Sequence, residues 1–278
     1  MAYGAEISRS NPTCFIFVLD QSGSMADPFG GEQSVRKAEF VADAVNRTLH
    51  DLVIRCTKTE EVRNYYHIAV IGYGSKVQPV LGGALTGKIL VPVSELADLP
   101  VRVETRNKKI SDGAGGIVEQ QTRFPVWMDP AASGKTPMCQ AFELVKSTLD
   151  QWLVDHRTGF PPIVLHLTDG ESTDGDPSDL GRQIASSATQ DGEVLLFNCH
   201  VSKHSYGKVE YPGDDGSLPD DFAKMLFRIS SVLPDEFRRS GEQVGIRMGE
   251  GARGCVFNGD PVSVAQFFDI GTRPANLR

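Results

Sequence analysis

The sequence lacks a long apolar segment and has no cysteine pair of the Cys-x-x-Cys type. No stretch reaches the roughly 18 consecutive apolar residues that a transmembrane helix needs, and the start of the chain has no run of the signal-peptide kind. The five cysteines are odd in number and scattered, at positions 14, 56, 139, 199 and 255. This pattern favours free, mostly buried thiols over disulfides or a zinc site. We therefore expect a cytoplasmic protein that does not contact a membrane.

An excess of positive charge is also missing. The chain carries 28 Lys and Arg against 36 Asp and Glu, a net charge of -8 at pH 7. Because neutralising phosphates requires a basic surface, we expect no nucleic-acid partner. Internal repeats and low-complexity segments are absent from the sequence. The 278 residues, 40% hydrophobic and 23% charged, suffice for a substantial core, and we assign residues 1–278 to a single elaborated domain.

Apolar runs alternate with amphipathic segments along the chain. Short continuous apolar runs are typical of strands buried on both faces of a sheet, and they cover residues 14–20, 65–74, 161–170, 193–201 and 254–259. Helices are predicted for residues 38–52, 138–153, 180–188, 220–233 and 261–271. This alternation predicts an α/β fold, a Rossmann-like doubly wound and mostly parallel sheet flanked by helices.

One segment interrupts this alternation. Residues 83–130 hold short β-leaning pieces among Gly, Pro, Lys and Arg, and we interpret them as a hairpin-bearing insertion. The core then comprises about residues 13–82 and 131–202, and residues 203–278 form a C-terminal elaboration.

Short oxygen-bearing side chains follow two of the predicted strands. Asp20 ends "CFIFVLD" and is followed by Ser22 and Ser24, and Asp169 ends the strand in "PPIVLHLTDG". Ligands of open α/β sheets bind beyond the carboxyl ends of the strands. Thr136, just before the helix that starts at Met138, is a third source of oxygen.

Two carboxylates and three hydroxyls suit a hard divalent cation. We expect Mg²⁺, with Mn²⁺ or Ca²⁺ as alternatives. Gly23 should let the backbone curl so that the hydroxyls of the Asp-x-Ser-x-Ser turn converge. The alternative is a purely structural role, in which these Asp, Ser and Thr residues only form turns and cap helices, as these residue types often do.

Three separated motifs resemble a known site. "DQSGS" (20–24), "GKTPM" (134–138) and "LTDGES" (167–172) resemble, in the family's order, the metal-ion-dependent adhesion site (MIDAS) of von Willebrand factor A (VWA) domains. The resemblance implies a Rossmann-like sheet carrying a divalent ion that is usually completed by a ligand's carboxylate. It implies that Ser22, Ser24 and Thr136 are hydroxyl ligands. It also implies that Asp20 and Asp169 are the aspartates, which commonly act through water.

The resemblance covers about residues 13–82 and 131–202 and is strongest to stand-alone bacterial intracellular members of the tellurite-resistance type. It implies protein–protein scaffolding, often near kinase and phosphatase genes, so kinase or phosphatase signalling proteins are candidate partners. We therefore predict a non-enzymatic interaction module in which a protein partner supplies an Asp or Glu to the metal.

Two other functions stay open. In the first, the chain is a Mg²⁺-dependent phosphohydrolase with Asp20 as nucleophile. Haloacid-dehalogenase-type phosphatases place an aspartate there and typically a second one two residues on, where this sequence has Ser22. The sequence also shows no appropriately placed lysine paired with a later acidic cluster. In the second, the chain is a structural subunit whose metal only stabilises it.

Several other residues invite a functional interpretation. Cys199, His200 and His204 are a weak transition-metal cluster, since the first two alternate across a strand. His166, inside an apolar strand, is predicted to be a satisfied core histidine. Trp127 is either a recognition aromatic or a core anchor of the insertion.

Overall fold

The computed structural model describes residues 3–29, 35–111, 117–202 and 207–273, with only the backbone at 108–111 and 117–118. The strands in chain order, β1 to β14, are Thr13–Asp20, Pro28–Phe29, Val35–Arg36, Thr57–Lys58, Glu61–Val62, Tyr66–Tyr73, Val77–Pro79, Val91–Pro92, Arg102–Ser111, Ile117–Val126, Ile163–Thr168, Leu195–Val201, Val209–Glu210 and Cys255–Gly259. The helices, α1 to α7, are Lys37–Cys56, Val93–Asp98, Met138–Asp155, Ser178–Ser186, Asp221–Ile229, Asp235–Gln243 and Pro261–Gly271. Short 3₁₀ turns cover Gly23–Ala26 and Gly83–Leu85.

A mostly parallel sheet forms the centre of the molecule. Its strand order is β13-β14-β12-β11-β1-β6-β7, and β8 also pairs with β6. The five longer strands β14, β12, β11, β1 and β6 run parallel to one another, whereas β13, β7 and β8 add antiparallel pairs. The predicted doubly wound, Rossmann-like sheet is confirmed.

Strand β1 shows why the apolar runs are continuous. Phe15, Phe17 and Leu19 point to one face and pack in a core with residues of α1, α2, α6 and α7. Ile16 and Val18 point to the other face and pack with residues of α3, α4 and α5. All five side chains are buried. Because helices cover both faces, each of these five consecutive positions is apolar.

The predicted insertion contains a long antiparallel hairpin, in which β9 pairs with β10. It rejoins the core at Trp127, whose indole Nε1 donates to the carbonyl of Leu96 at 2.7 Å. The Trp127 backbone nitrogen donates to Asn46 Oδ1 of α1 at 2.8 Å. Trp127 is buried, so of the two alternatives it is the core anchor.

The region after residue 203 completes the sheet. Strand β14 lies between β12 and β13, while α6 and α7 pack on one face and α5 on the other. The division into a core, an insertion and a C-terminal elaboration stays a prediction. In the ranges that the structure describes, no helix is long and apolar enough to cross a membrane.

All five cysteines are free thiols, as the sequence pattern predicts. Four of them are buried, and Cys139 is half-buried at the start of α3. Burial raises the pKa of Cys56 and of Cys255 to about 12, so these thiols are inert at neutral pH.

Candidate functional site

The topology places a crevice at the carboxyl ends of β1 and β11. The two strands are parallel neighbours, paired from Phe15 with Ile163 to Leu19 with Leu167. From β1 the chain continues to β6 on one side, and from β11 it continues to β12 on the other. Such a reversal of strand order is where open α/β sheets bind ligands. Asp20 ends β1, and Asp169 directly follows β11.

Backbone hydrogen bonds bring a second loop to this edge. The Ser133 nitrogen donates to the Gln21 carbonyl at 2.7 Å, and the Gly23 nitrogen donates to the Gly134 carbonyl at 3.0 Å. The loop before α3 therefore lies against the turn that follows β1, which brings Thr136 to the same edge of the sheet.

Gly134 is the position in these loops that requires glycine. Its φ is +84°, and a Cβ there would lie 2.4 Å from the Ser75 nitrogen, closer than atoms can approach. A Cβ on Gly23 would meet only the Gly134 carbonyl oxygen, at an ordinary 3.5 Å. The conformational freedom that we expected to matter at Gly23 is therefore needed at Gly134.

The loop after β11 is the third component. Thr136 and Thr173 exchange two hydrogen bonds, from the Thr173 nitrogen to the Thr136 carbonyl at 2.9 Å and from the Thr136 nitrogen to Thr173 Oγ1 at 3.1 Å. Asp174 accepts from the backbone nitrogens of Cys139 and Gln140, each at 3.0 Å. These contacts fasten the loop that carries Asp169 to the beginning of α3.

Asp20 is a buried carboxylate with both oxygens engaged. Oδ1 accepts from the Ser22 nitrogen at 2.8 Å, and Oδ2 accepts from Thr168 Oγ1 at 2.9 Å. Burial raises the pKa of Asp20 to about 6; the hydrogen bonds from Ser22 oppose this rise and the nearby Asp169 charge adds to it. A carboxylate in this setting is stabilised by a neighbouring cation.

Asp169 is the second carboxylate of the site, and its hydrogen bonds connect it to the two serines. Its Oδ1 accepts from Ser24 Oγ at 2.7 Å, and the Oγ atoms of Ser24 and Ser22 lie 3.0 Å apart. Four of the five predicted ligands thus converge at the crevice, and Thr136 reaches the same edge through its loop. Whether they ligate a metal stays a prediction.

A lysine that the sequence analysis did not assign to the site contacts this group. Lys37, the first residue of α1, places its Nζ 2.8 Å from Asp169 Oδ2. The side chains of Lys37 and Asp169 are 6% and 0% exposed. This ion pair was not among the predictions made from the sequence. A lysine distant in sequence gives no local signal, because its neighbours along the chain do not reveal which carboxylate it will meet.

The donor set fits a hard cation. It consists of carboxylate and hydroxyl oxygens, and the structure already places one cationic group, the Lys37 ammonium, on Asp169. Across the described ranges no group of three or more His, Cys, Asp or Glu side chains could hold a metal. The predicted site differs from such a group because it combines only two of these residues, Asp20 and Asp169, with serine and threonine hydroxyls.

The two histidine interpretations have different outcomes. His166 is fully buried, with Nε2 2.7 Å from Tyr73 Oη and Nδ1 2.9 Å from Asn198 Oδ1, which confirms a satisfied core histidine. His200 stacks on Phe257 with ring centroids 4.5 Å apart, whereas Cys199 packs in the core on the opposite face. His204, the third member of the proposed cluster, lies outside the described residues.

Comparisons with known proteins give only distant structural similarities. No protein-family model and no curated protein matches the chain. Among solved structures, the chain is similar to a von Willebrand factor type A protein from Catenulispora acidiphila, with 15% identity, 93% of this chain and 41% of that chain covered, and a TM-score of 0.45. It is also similar to VWA2, the ArnB paralog from Sulfolobus acidocaldarius, with 10% identity, 93% and 44% covered, and a TM-score of 0.40.

A third similarity is to the pilus adhesin SpaC from Lactobacillus rhamnosus GG, with 14% identity, 96% and 31% covered, and a TM-score of 0.47. The chain spans less than half the length of each of these three proteins.

Proposed function

We propose that this protein is a VWA-type, metal-dependent protein-interaction module. The observation that carries the proposal is the convergence of Asp20, Ser22, Ser24 and Asp169 at the switch point between β1 and β11. In a doubly wound sheet this is the position of a ligand site. Ser22, Ser24 and Thr136 would hold a divalent ion, Mg²⁺ in the first instance, together with the two aspartates.

The composition of the site explains why a partner's carboxylate would be attracted. A bound ion acts as the largest local charge of its site, and two carboxylates with neutral hydroxyls leave it open to a further acidic ligand. An Asp or Glu of a protein partner would complete its coordination. We place the module in the cytoplasm and include kinase and phosphatase signalling proteins among the partners to test.

A non-enzymatic role fits the surroundings of Asp20 better than phosphohydrolysis. A nucleophilic carboxylate must present an oxygen to the substrate, whereas both Asp20 oxygens accept hydrogen bonds from the protein and the side chain is buried. Lys37 does supply a cation beside Asp169, but Ser22 still occupies the position of the general acid. Mg²⁺-dependent hydrolysis of p-nitrophenyl phosphate that disappears in Asp20→Asn would favour the enzyme.

Metal binding by the chain alone is the first test. Thr136→Val and Ser24→Ala each remove one hydroxyl, and the matched control Thr86→Val removes an exposed hydroxyl that bonds only its own turn, at Gly83. We expect isothermal titration to show Mg²⁺ binding to the unaltered chain and to Thr86→Val, and binding weaker by roughly tenfold in the two site variants. Equal affinity in all four proteins would contradict the site.

The acidic ligand is the second test. Peptides that carry Asp or Glu should bind in Mg²⁺, lose binding in EDTA, and not bind when Asn or Gln replaces the acid. If Mg²⁺ raises the melting temperature but no acidic peptide binds in a chelator-sensitive way, the metal only stabilises the fold. Saturation at about 100 times Kd would stabilise the protein by about 2.7 kcal/mol in either case.

A further inference from the structure

Lys37 lies inside the site rather than at its rim. Its Nζ is 2.8 Å from Asp169 Oδ2, 3.5 Å from the Ser24 carbonyl oxygen and 3.9 Å from Asp27 Oδ2. Its backbone nitrogen donates to the Asp27 carbonyl at 3.0 Å, which fixes the start of α1 beside the turn that follows β1. The ammonium therefore contacts a carboxylate that the proposed function assigns to the metal.

Helix electrostatics do not explain this position. The first turn of a helix carries a partial positive charge and favours acidic side chains, so a lysine at the first residue of α1 is unfavourable there. Burial of an ammonium is costly as well unless the group is paired. Both costs are offset by the ion pair with Asp169, whose side chain is fully buried. The acidic site is thus the reason that a buried lysine is tolerated.

We propose that the Lys37 ammonium competes with the divalent ion for Asp169. The site then has a lysine-occupied state and a metal-occupied state, because a divalent ion held by the same buried carboxylate, directly or through water, would be strongly repelled by the adjacent ammonium. Metal binding must displace the ammonium, which lowers the apparent affinity below that of the acid–hydroxyl set alone. This inference rests on the proposed function.

Asp27 gives the displaced ammonium a place to go. It lies 3.9 Å from Lys37 Nζ, and its side chain is 48% exposed. A rotation of the flexible lysine side chain can therefore move the charge from the buried Asp169 towards solvent while a carboxylate stays close. Unloaded protein would keep its buried acidic pair partly neutralised, and loaded protein would carry the lysine at the rim beside the open metal position.

The test compares two lysines that differ in contact but not in charge. Lys37→Met keeps an unbranched apolar side chain and removes the ammonium. Lys135→Met, the control, removes an exposed ammonium from the residue next to Thr136. Mg²⁺ affinity is measured by isothermal titration at one pH and ionic strength. We expect Lys37→Met to bind Mg²⁺ roughly tenfold more tightly or better, and Lys135→Met to change by less than about threefold through long-range Coulomb effects.

A second measurement keeps the unaltered protein as the sample. The NMR signal of a buried, hydrogen-bonded lysine ammonium, assigned by its loss in Lys37→Met, should disappear as Mg²⁺ is added. Asp27→Asn, which removes the second acceptor, should weaken Mg²⁺ binding. A Lys37→Met affinity no tighter than that of Lys135→Met, or an ammonium signal that persists at saturating Mg²⁺, overturns the competition.

The outcomes separate this inference from the proposed function. If neither the unaltered chain nor Lys37→Met binds Mg²⁺, the metal site itself is wrong and both proposals fail. If both bind with equal affinity, only the competition fails. If Lys37→Met alone binds, lysine permanently excludes the metal from the unaltered chain, and both the two-state competition and the metal-dependent function fail for that chain.

Discussion

At the scale of single residues, buried polar side chains in this protein are held by specific partners. Asp20, Asp169 and Lys37 form one such group at the crevice, and His166 forms another inside the sheet with Tyr73 and Asn198. A buried polar group without partners costs stability. The identity of each partner therefore determines how the protein responds to pH and substitution.

Because His166 is buried, we expect the protein to lose stability in acid. Burial lowers the pKa of this histidine to about 4, against an unfolded value of 6.5. The unfolded chain therefore takes up the proton first, and the contribution of His166 is complete above about pH 6.5 and is lost as the pH falls towards 4. Between pH 7.5 and 5 the unaltered protein should lose about 2 kcal/mol more of its unfolding free energy than His166→Gln.

Urea unfolding at the two pH values measures this difference. Tyr73→Phe is the control, because it removes the hydroxyl beside Nε2 but keeps the titrating ring. It should lower the stability and retain the pH dependence. Parallel pH profiles for the unaltered protein and His166→Gln would show that the ring does not titrate as described.

At the scale of elements, the site depends on how loops are fastened to helices. Helix α3 has no side-chain cap at its own N-cap residue, Pro137. Asp174, from the loop after β11, instead accepts from the Cys139 and Gln140 nitrogens. The carboxylate thus satisfies two free amides of the helix N-terminus and at the same time restrains the loop that carries Asp169.

Removal of this tether should destabilise the protein measurably. We expect Asp174→Ala to lower the free energy of unfolding by about 1–2 kcal/mol, as loss of a helix N-cap does. The control Asp179→Ala alters an exposed acid in the first turn of α4 that only pairs with Arg182. It should cost less than about 0.5 kcal/mol. Chemical denaturation compares the two, and equal losses would argue against the capping role.

The sequence analysis did not predict helices α2 and α6, and the physical reason is the same for both. Helix α2 has only six residues, of which Val93 and Leu96 are buried. Helix α6 buries only Phe237 and Gly241 and is otherwise polar. An apolar stripe of two residues is too short to establish a helical period, so these helices depend on the surfaces they cover.

At the scale of the whole molecule, two hydrophobic cores lie on opposite faces of one sheet. Trp127 packs on the face covered by α1 and α7, and Trp152 packs on the face covered by α3 and α4. The C-terminal region is part of the same structure, because it contributes β14 to the sheet and α7 packs against that sheet. This arrangement favours one cooperative unfolding transition.

Phe267→Ala tests that cooperativity. Phe267 of α7 is fully buried, and its ring lies 6.1 Å, centroid to centroid, from that of Phe197 in β12. We expect a loss of about 3–5 kcal/mol, seen at the same denaturant concentration by tryptophan fluorescence and by far-UV circular dichroism. Val262→Ala, on an exposed position of the same helix, should change stability by less than about 0.5 kcal/mol. Separate transitions in the two signals would contradict the single domain predicted for residues 1–278.

The sequence by itself determined the main architecture of this protein. Continuous apolar runs identified the five parallel strands within a few residues of their ends, because burial on both faces leaves a strong local pattern. The helical spacing of the apolar residues in α1 and α3 was equally clear, and α7 was predicted with the bounds that the structure has. The three motifs also indicated Asp20, Ser22, Ser24, Thr136 and Asp169 as one set, since each motif stands at the end or beginning of a predicted element.

Only the tertiary structure decided which groups meet at the crevice. Strand order placed β1 beside β11, so that Ser24 reaches Asp169. The packing of α1 placed Lys37 on the same carboxylate, and the fold of the loop after β11 made Asp174 a cap of α3. These contacts join residues 35 to 145 positions apart. They follow from the burial of the whole core, which no local pattern encodes.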